Sequence, residues 1–281
     1  MKFTKMHGLG NDYLYVYGEV PEDIRDLSIR LSDRHFGAGA DGMIYISASD
    51  KADFRMRIFN ADGSEGMMCG NGIRCVGKYV YEKGYTDKPE LDVETLSGIR
   101  HLKMQISGGK VRSVTVDMGK AQAGEDLELE ISEARDITAA SAGVVSTFAD
   151  GTLICVPVSV GNPHAVTFVR DVEHFPLETV GPLVERHDVF PDGVNAEFVQ
   201  VISPKELRMR VWERGSAVTM ACGTGACASV AAAVRKGFCQ PEEPVTIHLD
   251  GGDLKITMTR DGRMFMTGPA EFVYEGETMG N

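Results

Sequence analysis

The sequence of 281 residues predicts an α+β fold built from two pseudosymmetric domains. Three observations carry this. Many short apolar runs read as strands, helices are few and do not alternate strictly with them, and one motif recurs at a period near half the chain. Strands are expected in KFTKMHG, YLYVYG, MIYIS, FRMRIF, LDVET, HLKMQIS and VRSVTVDM. They are expected again in LICVPVSV, HAVTFV, EFVQVIS, ELRMRVW, VTIHL, LKITMT and RMFMTG. Glycine, proline or an SGG or DGG turn closes many of them. Helices are expected at residues 21–35, 70–84, 176–187 and 223–237. In the second, Ile73, Val76, Tyr79 and Val80 fall on one face at helical spacing; the fourth is alanine-rich almost all round and so reads as buried.

The repeat shows at four stations in one order. MMCGNGIRC at residues 67–75 returns as MACGTGACA at 220–228, which sets Cys69 against Cys222 at an offset of 153. RIFNADGSEG matches RVWERGSAVT at the same offset and pairs Asn60 with Glu213; Gly42 matches Asn195, again 153 apart. GLGND and VGNPH pair Asn11 with Asn162 at 151, which needs only a two-residue insertion or deletion. Two similar domains facing each other across a pseudo-twofold axis would bring both cysteine-glycine turns into one cleft, each at a helix start after a strand. The acidic, small-residue stretch AQAGEDLELEISEARD at 121–136 suits a boundary between the halves.

Apolar residues make up 43% of the chain, enough for sizeable cores, while a net charge of −12 and a pI near 5.1 leave no electrostatic footprint for nucleic acid. No basic run suits a membrane surface, and no apolar run approaches the roughly 18 residues of a span. The N-terminus lacks the apolar core of a signal peptide, so the protein is expected to be soluble and cytoplasmic. Six cysteines are too sparse for a disulfide scaffold and are expected as thiols. Zinc is not expected: Cys69/Cys75 and Cys222/Cys227 are six and five residues apart, whereas structural zinc sites use a short C-x2-4-C spacing. Cys75 and Cys227 read as core residues of their helices, and Cys155 and Cys239 carry no signal. There is no phosphate loop, and GLGND is too short for a dinucleotide fingerprint.

The paired turns suit acid-base chemistry at carbon. The first amides of a helix and its dipole make an anion site, and the same field favours a thiolate, lowering a thiol from about 8.5 to roughly 3.5–7.5. A carboxylate held between two such helix starts places its α-carbon between two sulfurs. One sulfur takes the α-proton as the other gives one to the opposite face, and the centre inverts. Two such thiols are also placed to form a disulfide on oxidation.

The run MHGLGND, RIFNADGSEGMMCGNGIRC, VGNPH, GVNAEF, WERGS and ACGTGACAS resembles the diaminopimelate epimerase family in order and content, from residue 3 to about residue 274. That resemblance implies two domains, each a mostly antiparallel barrel-like sheet around a central helix, with the active site in the cleft between them. The expected halves are 1–118, joined by a C-terminal segment of about 268–281, and 119–267. The implied reaction converts LL-2,6-diaminopimelate to the meso form without a cofactor or metal. Cys69 is then the proton donor and Cys222 the acceptor, with His164 and Glu213 tuning the thiols. Gly70, Asn71, Gly223 and Thr224 would hold the carboxylate, and Asn11, Asn60, Asn162, Asn195, Glu213 and Arg214 would contact substrate. Arg214 is the natural bidentate partner of a second carboxylate. A homodimer is implied, with Tyr274 at its interface. One position departs: Gly42 stands where some members carry glutamine after the aspartate, and no contact is assigned there. A proline racemase or hydroxyproline epimerase of the same fold is the nearest alternative. Asn60, Asn162, Asn195 and Arg214 argue against it, because a compact cyclic amino acid has no distal group to engage them. A non-catalytic amino-acid-binding protein is a further alternative, disfavoured by cysteines at both matched positions.

Overall fold

The structure, a computed structural model, describes residues 1–131, 148–149 and 151–279. Residues 132–136 of the acidic stretch lie outside these. Two compact units divide the chain, Met1–Asp117 with Thr267–Asn281, and Met118–Met266.

The first unit holds β1 (Lys2–Gly8), β2 (Asn11–Tyr17), α1 (Ile24–Ser32), β3 (Gly42–Ser47), β4 (Phe54–Asn60), β5 (Glu65–Gly66), α2 (Gly70–Glu82), β6 (Glu90–Thr95), β7 (Gly98–Ser107) and β8 (Lys110–Lys120). The second holds β9 (Gln122–Ala123), β10 (Leu127–Glu130), β11 (Phe148–Ala149), β12 (Thr152–Ser159), β13 (Pro163–Phe168), α3 (Leu177–Glu185), β14 (Asn195–Ser203), β15 (Glu206–Glu213), β16 (Ala217–Val218), α4 (Gly223–Arg235), β17 (Pro244–Leu249), β18 (Gly252–Met258) and β19 (Arg263–Gly268). The chain ends in β20 (Glu271–Glu277), which pairs antiparallel with β1 and returns to the first unit.

Both units pair mostly antiparallel, and they break that rule at matching places. β2 runs parallel to β3 and β4 to β6; in the second unit β13 runs parallel to β14 and β15 to β17. A parallel pair needs a crossover, and α1 and α3 supply the first of each set, α2 and α4 the second. The sheets are barrel-like but not closed.

Each unit wraps its sheet around one helix. α2 buries every residue from Gly70 to Val80, so its neighbours surround it. A Cβ at Gly72 would meet Ile44 of β3 and Met56 of β4, and one at Gly77 would meet Leu102 of β7 at 3.1 Å. Glycine at 77 is therefore what lets helix and sheet approach so closely. In α4 the run of alanines does the same work, with Ala226, Ala228, Ala231, Ala232 and Ala233 all buried. α1 and α3 instead cover separate cores. Ile24, Leu27 and Leu31 pack with Phe3, Leu14, Met43 and Phe59; Leu177, Val180 and Val184 pack with Phe175, Val194 and Phe198.

α1 is shorter than the expected 21–35. Asp33 Oδ1 accepts from the amides of His35 and Phe36, while the amides of Ala38 and Gly39 both reach Leu31 O. A short carboxylate that competes for local amides ends the helix. α3 occupies most of 176–187 and tolerates Pro182. No helix among the described residues is long and apolar enough to cross a membrane.

Candidate active site

In each unit a two-residue strand precedes a cysteine, and the cysteine caps a helix of 13 residues. Cys69 is extended at φ −128° and ψ 118°, Cys222 at φ −112° and ψ 109°. Each sulfur accepts the amide N–H three residues on, from Gly72 at 3.3 Å and from Gly225 at 3.4 Å. These are sulfur versions of the oxygen N-cap, with the sulfur at the positive end of the helix. The two earlier amides of each first turn, at Gly70 and Asn71 and at Gly223 and Thr224, are those the sequence assigns to a carboxylate.

Around Cys69 the groups come from β1, β2 and the segments flanking α1 and β3. Its Sγ donates to Asn11 Oδ1 at 3.2 Å. Asn11 Nδ2 donates to Asp41 Oδ2 at 2.8 Å, and the Asp12 amide donates to the same oxygen. Arg34 donates to Asp41 Oδ1 and to both oxygens of Asp12, while Lys5 pairs with Asp12 at 2.7 Å. Burial raises the Asp12 carboxyl, but Arg34 and Lys5 outweigh it and hold it below its ordinary value. Burial, and then the neighbouring Cys69, push the Tyr13 phenol well above its own. Asp41 therefore fixes which way the Asn11 amide faces, and the oxygen turns to the thiol. Asp41, Arg34 and Tyr13 were not singled out from sequence; Asp41 lies in the ADG run, beside the departing Gly42. A Cβ at Gly42 would stand 2.2 Å from Phe59 O, so no side chain fits there in this backbone.

Two expected residues of this unit have other engagements. Asn71 is buried and its Oδ1 accepts from Arg74 Nη1 at 3.0 Å. Asn60, opposite Gly42 across β3 and β4, donates to Ser64 Oγ.

Around Cys222 the set is different. His164 on β13 is 1% exposed, with Nε2 3.0 Å from Asn162 Oδ1 and Nδ1 2.7 Å from Glu197 Oε1. Asn162 Nδ2 reaches Thr224 Oγ1 at 3.4 Å, and Thr224 Oγ1 lies 3.6 Å from Cys222 Sγ. Asn195 Oδ1 accepts the Arg214 amide at 2.9 Å, and Asn195 Nδ2 donates to Pro163 O. Arg214 itself is exposed, with Nη1 on Asp192 O. Glu213 is half-buried and accepts from the Thr219 hydroxyl.

Glu197 is a further residue that the sequence does not single out. It sits two residues after Asn195 on β14, hence on the same face, and is wholly buried. The only acid of the strand NAEFVQVIS, in phase with a site asparagine, is the available signal. Burial pushes its carboxyl up, His164 pulls it down, and Glu213 adds to the rise.

The expected lowering of the thiols does not hold at Cys222. Burial first, then the charges of Glu213 and Glu197, push that thiol well above its ordinary value, against the pull of Thr224 and the Gly225 amide. The helix field is present, but desolvation and two carboxylates outweigh it. All six cysteines are free thiols, and no group of three metal-ligating side chains gathers among the described residues. Tyr274 stands apart on β20, edge-on to Phe3 with its hydroxyl on Ala38 O, and is 40% exposed.

Known proteins bear on this geometry. The family model for diaminopimelate epimerase matches residues 3–124 and 156–273. A diaminopimelate epimerase of Methanococcus maripaludis is 49% identical over 280 residues, covering 99% of both chains. Those of Acetivibrio thermocellus and Bacillus licheniformis are 48% and 46% identical and cover at least 97% of either chain. Among solved structures, a PhzF-family phenazine biosynthesis protein of Bacillus anthracis superposes with a TM-score of 0.76 at 16% identity, covering 99% of both chains. A probable proline racemase of Agrobacterium radiobacter superposes at 0.72, also at 16% identity, covering all of this chain and 93% of its own. At such identity the solved structures share the fold alone, whereas the sequence relatives decide the family: the chain belongs to the diaminopimelate epimerases, a family of isomerases.

Proposed function

We propose that the chain interconverts LL- and meso-2,6-diaminopimelate by two-base proton transfer between Cys69 and Cys222, without a cofactor. The observation that carries this reading is the repeated thiol cap: in each unit one cysteine sulfur stands at the first turn of a buried 13-residue helix.

The reacting carboxylate takes N–H donors from Gly70 and Asn71 and from Gly223 and Thr224. These donors strengthen as charge moves onto the carboxylate during loss of the α-proton, each worth about 3 kcal/mol by comparison with an oxyanion-hole donor. In the LL-to-meso direction the Cys222 thiolate removes the α-proton and becomes a thiol, and Cys69 gives its proton to the opposite face and becomes a thiolate. The reverse reaction exchanges these roles. The Cys69 thiol already donates to Asn11 Oδ1, which suits a resting proton donor. Asn11, Asn60, Asn162, Asn195, Glu213 and Arg214 contact the rest of the substrate, and Arg214 binds the distal carboxylate. The relatives' name supports this substrate. A cytoplasmic homodimer with Tyr274 in its interface, serving lysine and cell-wall precursor synthesis, completes the reading.

The test is incubation of the reduced protein with LL-diaminopimelate in D2O, following deuterium at the α-carbon together with formation of the meso isomer. Exchange with proline in place of diaminopimelate would move the assignment to a racemase of cyclic amino acids. Binding without any exchange would leave a non-catalytic amino-acid-binding protein.

A further inference from the structure

The buried His164–Glu197 pair is joined to the Cys222 turn by contacts through Asn162 and Thr224. Asn162 Nδ2 faces the Thr224 hydroxyl, so its Oδ1 faces His164 Nε2, and that nitrogen carries a hydrogen. His164 Nδ1 then lies 2.7 Å from Glu197 Oε1. Without a further proton on that line, a lone pair would face a carboxylate oxygen inside a dry core. The line therefore holds one, and the pair has zero net charge whichever atom the proton sits on. Glu197 Oε2 is buried with no hydrogen-bond partner among the described residues, an arrangement that disfavours a bare carboxylate.

The carboxylate also adjoins the reacting sulfur. A Cβ placed on Gly225 would lie 2.7 Å from Glu197 Oε1 and 3.2 Å from Cys222 Sγ, so both atoms flank one small gap at the start of α4. The ionisable groups facing Glu197 are His164 on β13, Cys155 on β12, Glu213 on β15 and Cys222 itself.

We propose that Glu197 is a positioning residue whose charge is cancelled by the proton it shares with His164, and that this cancellation is what lets Cys222 become a thiolate. Two carboxylates face Cys222. Glu213 is half-buried and partly screened, whereas Glu197 is wholly buried, where an uncancelled charge acts at full strength. Proton sharing removes that charge while leaving Glu197 Oε1 to hold the imidazole and, through Asn162, the Thr224 hydroxyl.

The inference rests on the two-cysteine reading, but its test needs no substrate. In protein labelled with [3-13C]cysteine, the Cys222 signal is assigned by its loss in Cys222→Ser and titrated by NMR. In the alkaline range where the Cys222 thiol ionises, His164→Asn should leave Glu197 ionised without its partner and raise the Cys222 midpoint by about one pH unit, a tenfold loss of thiolate at fixed pH. Adding Glu197→Gln to His164→Asn should bring the midpoint back close to that of the parent protein, with Cys69 unmoved throughout. His164→Gln serves as the second variant if His164→Asn does not fold. An unchanged midpoint in the histidine variants, no rescue in the double variant, or an equal shift at Cys69 would each overturn the proposal. Charge rescue in a protein inactive toward diaminopimelate would retain this inference while removing the substrate assignment.

Discussion

The two cysteine turns share a backbone and differ in what surrounds them. Both sulfurs cap a 13-residue helix and accept the third amide of its first turn. Cys69 is half-buried and donates to an amide oxygen anchored by Asp41 and Arg34. Cys222 is 5% exposed and faces two carboxylates. Backbone geometry thus sets where a thiol sits, and the neighbouring charges set how readily it ionises. The proposed two-base chemistry needs a thiol and a thiolate at once, and the two turns differ in how they would meet that need: the carboxylates beside Cys222 oppose its ionisation.

The largest effect expected is on turnover. Cys69→Ala and Cys222→Ala should each lower epimerisation by about 10³-fold or more, as loss of a general acid or base does. The check is the rate of meso-diaminopimelate formation by each variant beside the parent enzyme. If one variant keeps substantial turnover, the turns are not partners and the two-base mechanism fails.

Packing should separate the turns next. An alanine at 225 meets the Glu197 carboxylate, which is held by His164, whereas one at 72 meets Ile44 Cδ1 and Met56 Cε, the flexible ends of two side chains. Gly225→Ala should cost about 2–3 kcal/mol in urea unfolding and Gly72→Ala about 1 kcal/mol. Equal costs would mean that Glu197 is not held in place.

Asp41→Ala sharpens the contrast from the other side. It removes the group that orients Asn11, so kcat should fall about tenfold, the worth of one charged hydrogen bond. The Cys69 midpoint should move in the same NMR titration while that of Cys222 stays. A shift at Cys222 alone would refute the assignment of Asp41 to the Cys69 side.

The smallest effects concern buried cysteines other than the two helix caps. Burial pushes Cys75 up to about 11 and Cys155 up to about 12 from 9.0. Both values lie above those of the unfolded chain, so the stability from keeping these thiols neutral is complete below pH 9. It is lost as pH rises toward 11 and 12. Urea midpoints at pH 8 and pH 10.5 should show this alkaline loss, and Cys75→Ala should reduce it at a cost of about 1 kcal/mol at pH 8. Cys75→Ala and Cys227→Ala should retain epimerisation, since both side chains point into cores; loss of activity in either would bring them into the site.

Several elements were legible because short-range physics sets them. Apolar alternation marked strands such as Phe54–Asn60, where Phe54, Met56 and Ile58 are buried while Arg55 is exposed. The ring of small and apolar residues in Gly223–Arg235 announced a helix buried on all sides. The C-terminal part of the expected first helix was misread because Asp33 caps a turn there, a competition that periodicity does not register. At the site, Cys69 and Cys222 stood out because a motif repeats, while Asp41 and Glu197 did not, because each matters only through a partner distant in sequence.

The sequence by itself determined the α+β class, the duplication, and the placing of a cysteine at each of two glycine-rich helix starts, since propensity, period and repetition are written residue by residue. Only the tertiary structure decided that Glu197 joins His164 beneath Cys222 and that Asp41 turns Asn11 toward Cys69. Hydrogen bonds between residues 30 or more apart in sequence depend on how the strands and the segments beside them come together, and a thiol's ionisation depends on the burial and charge that this delivers.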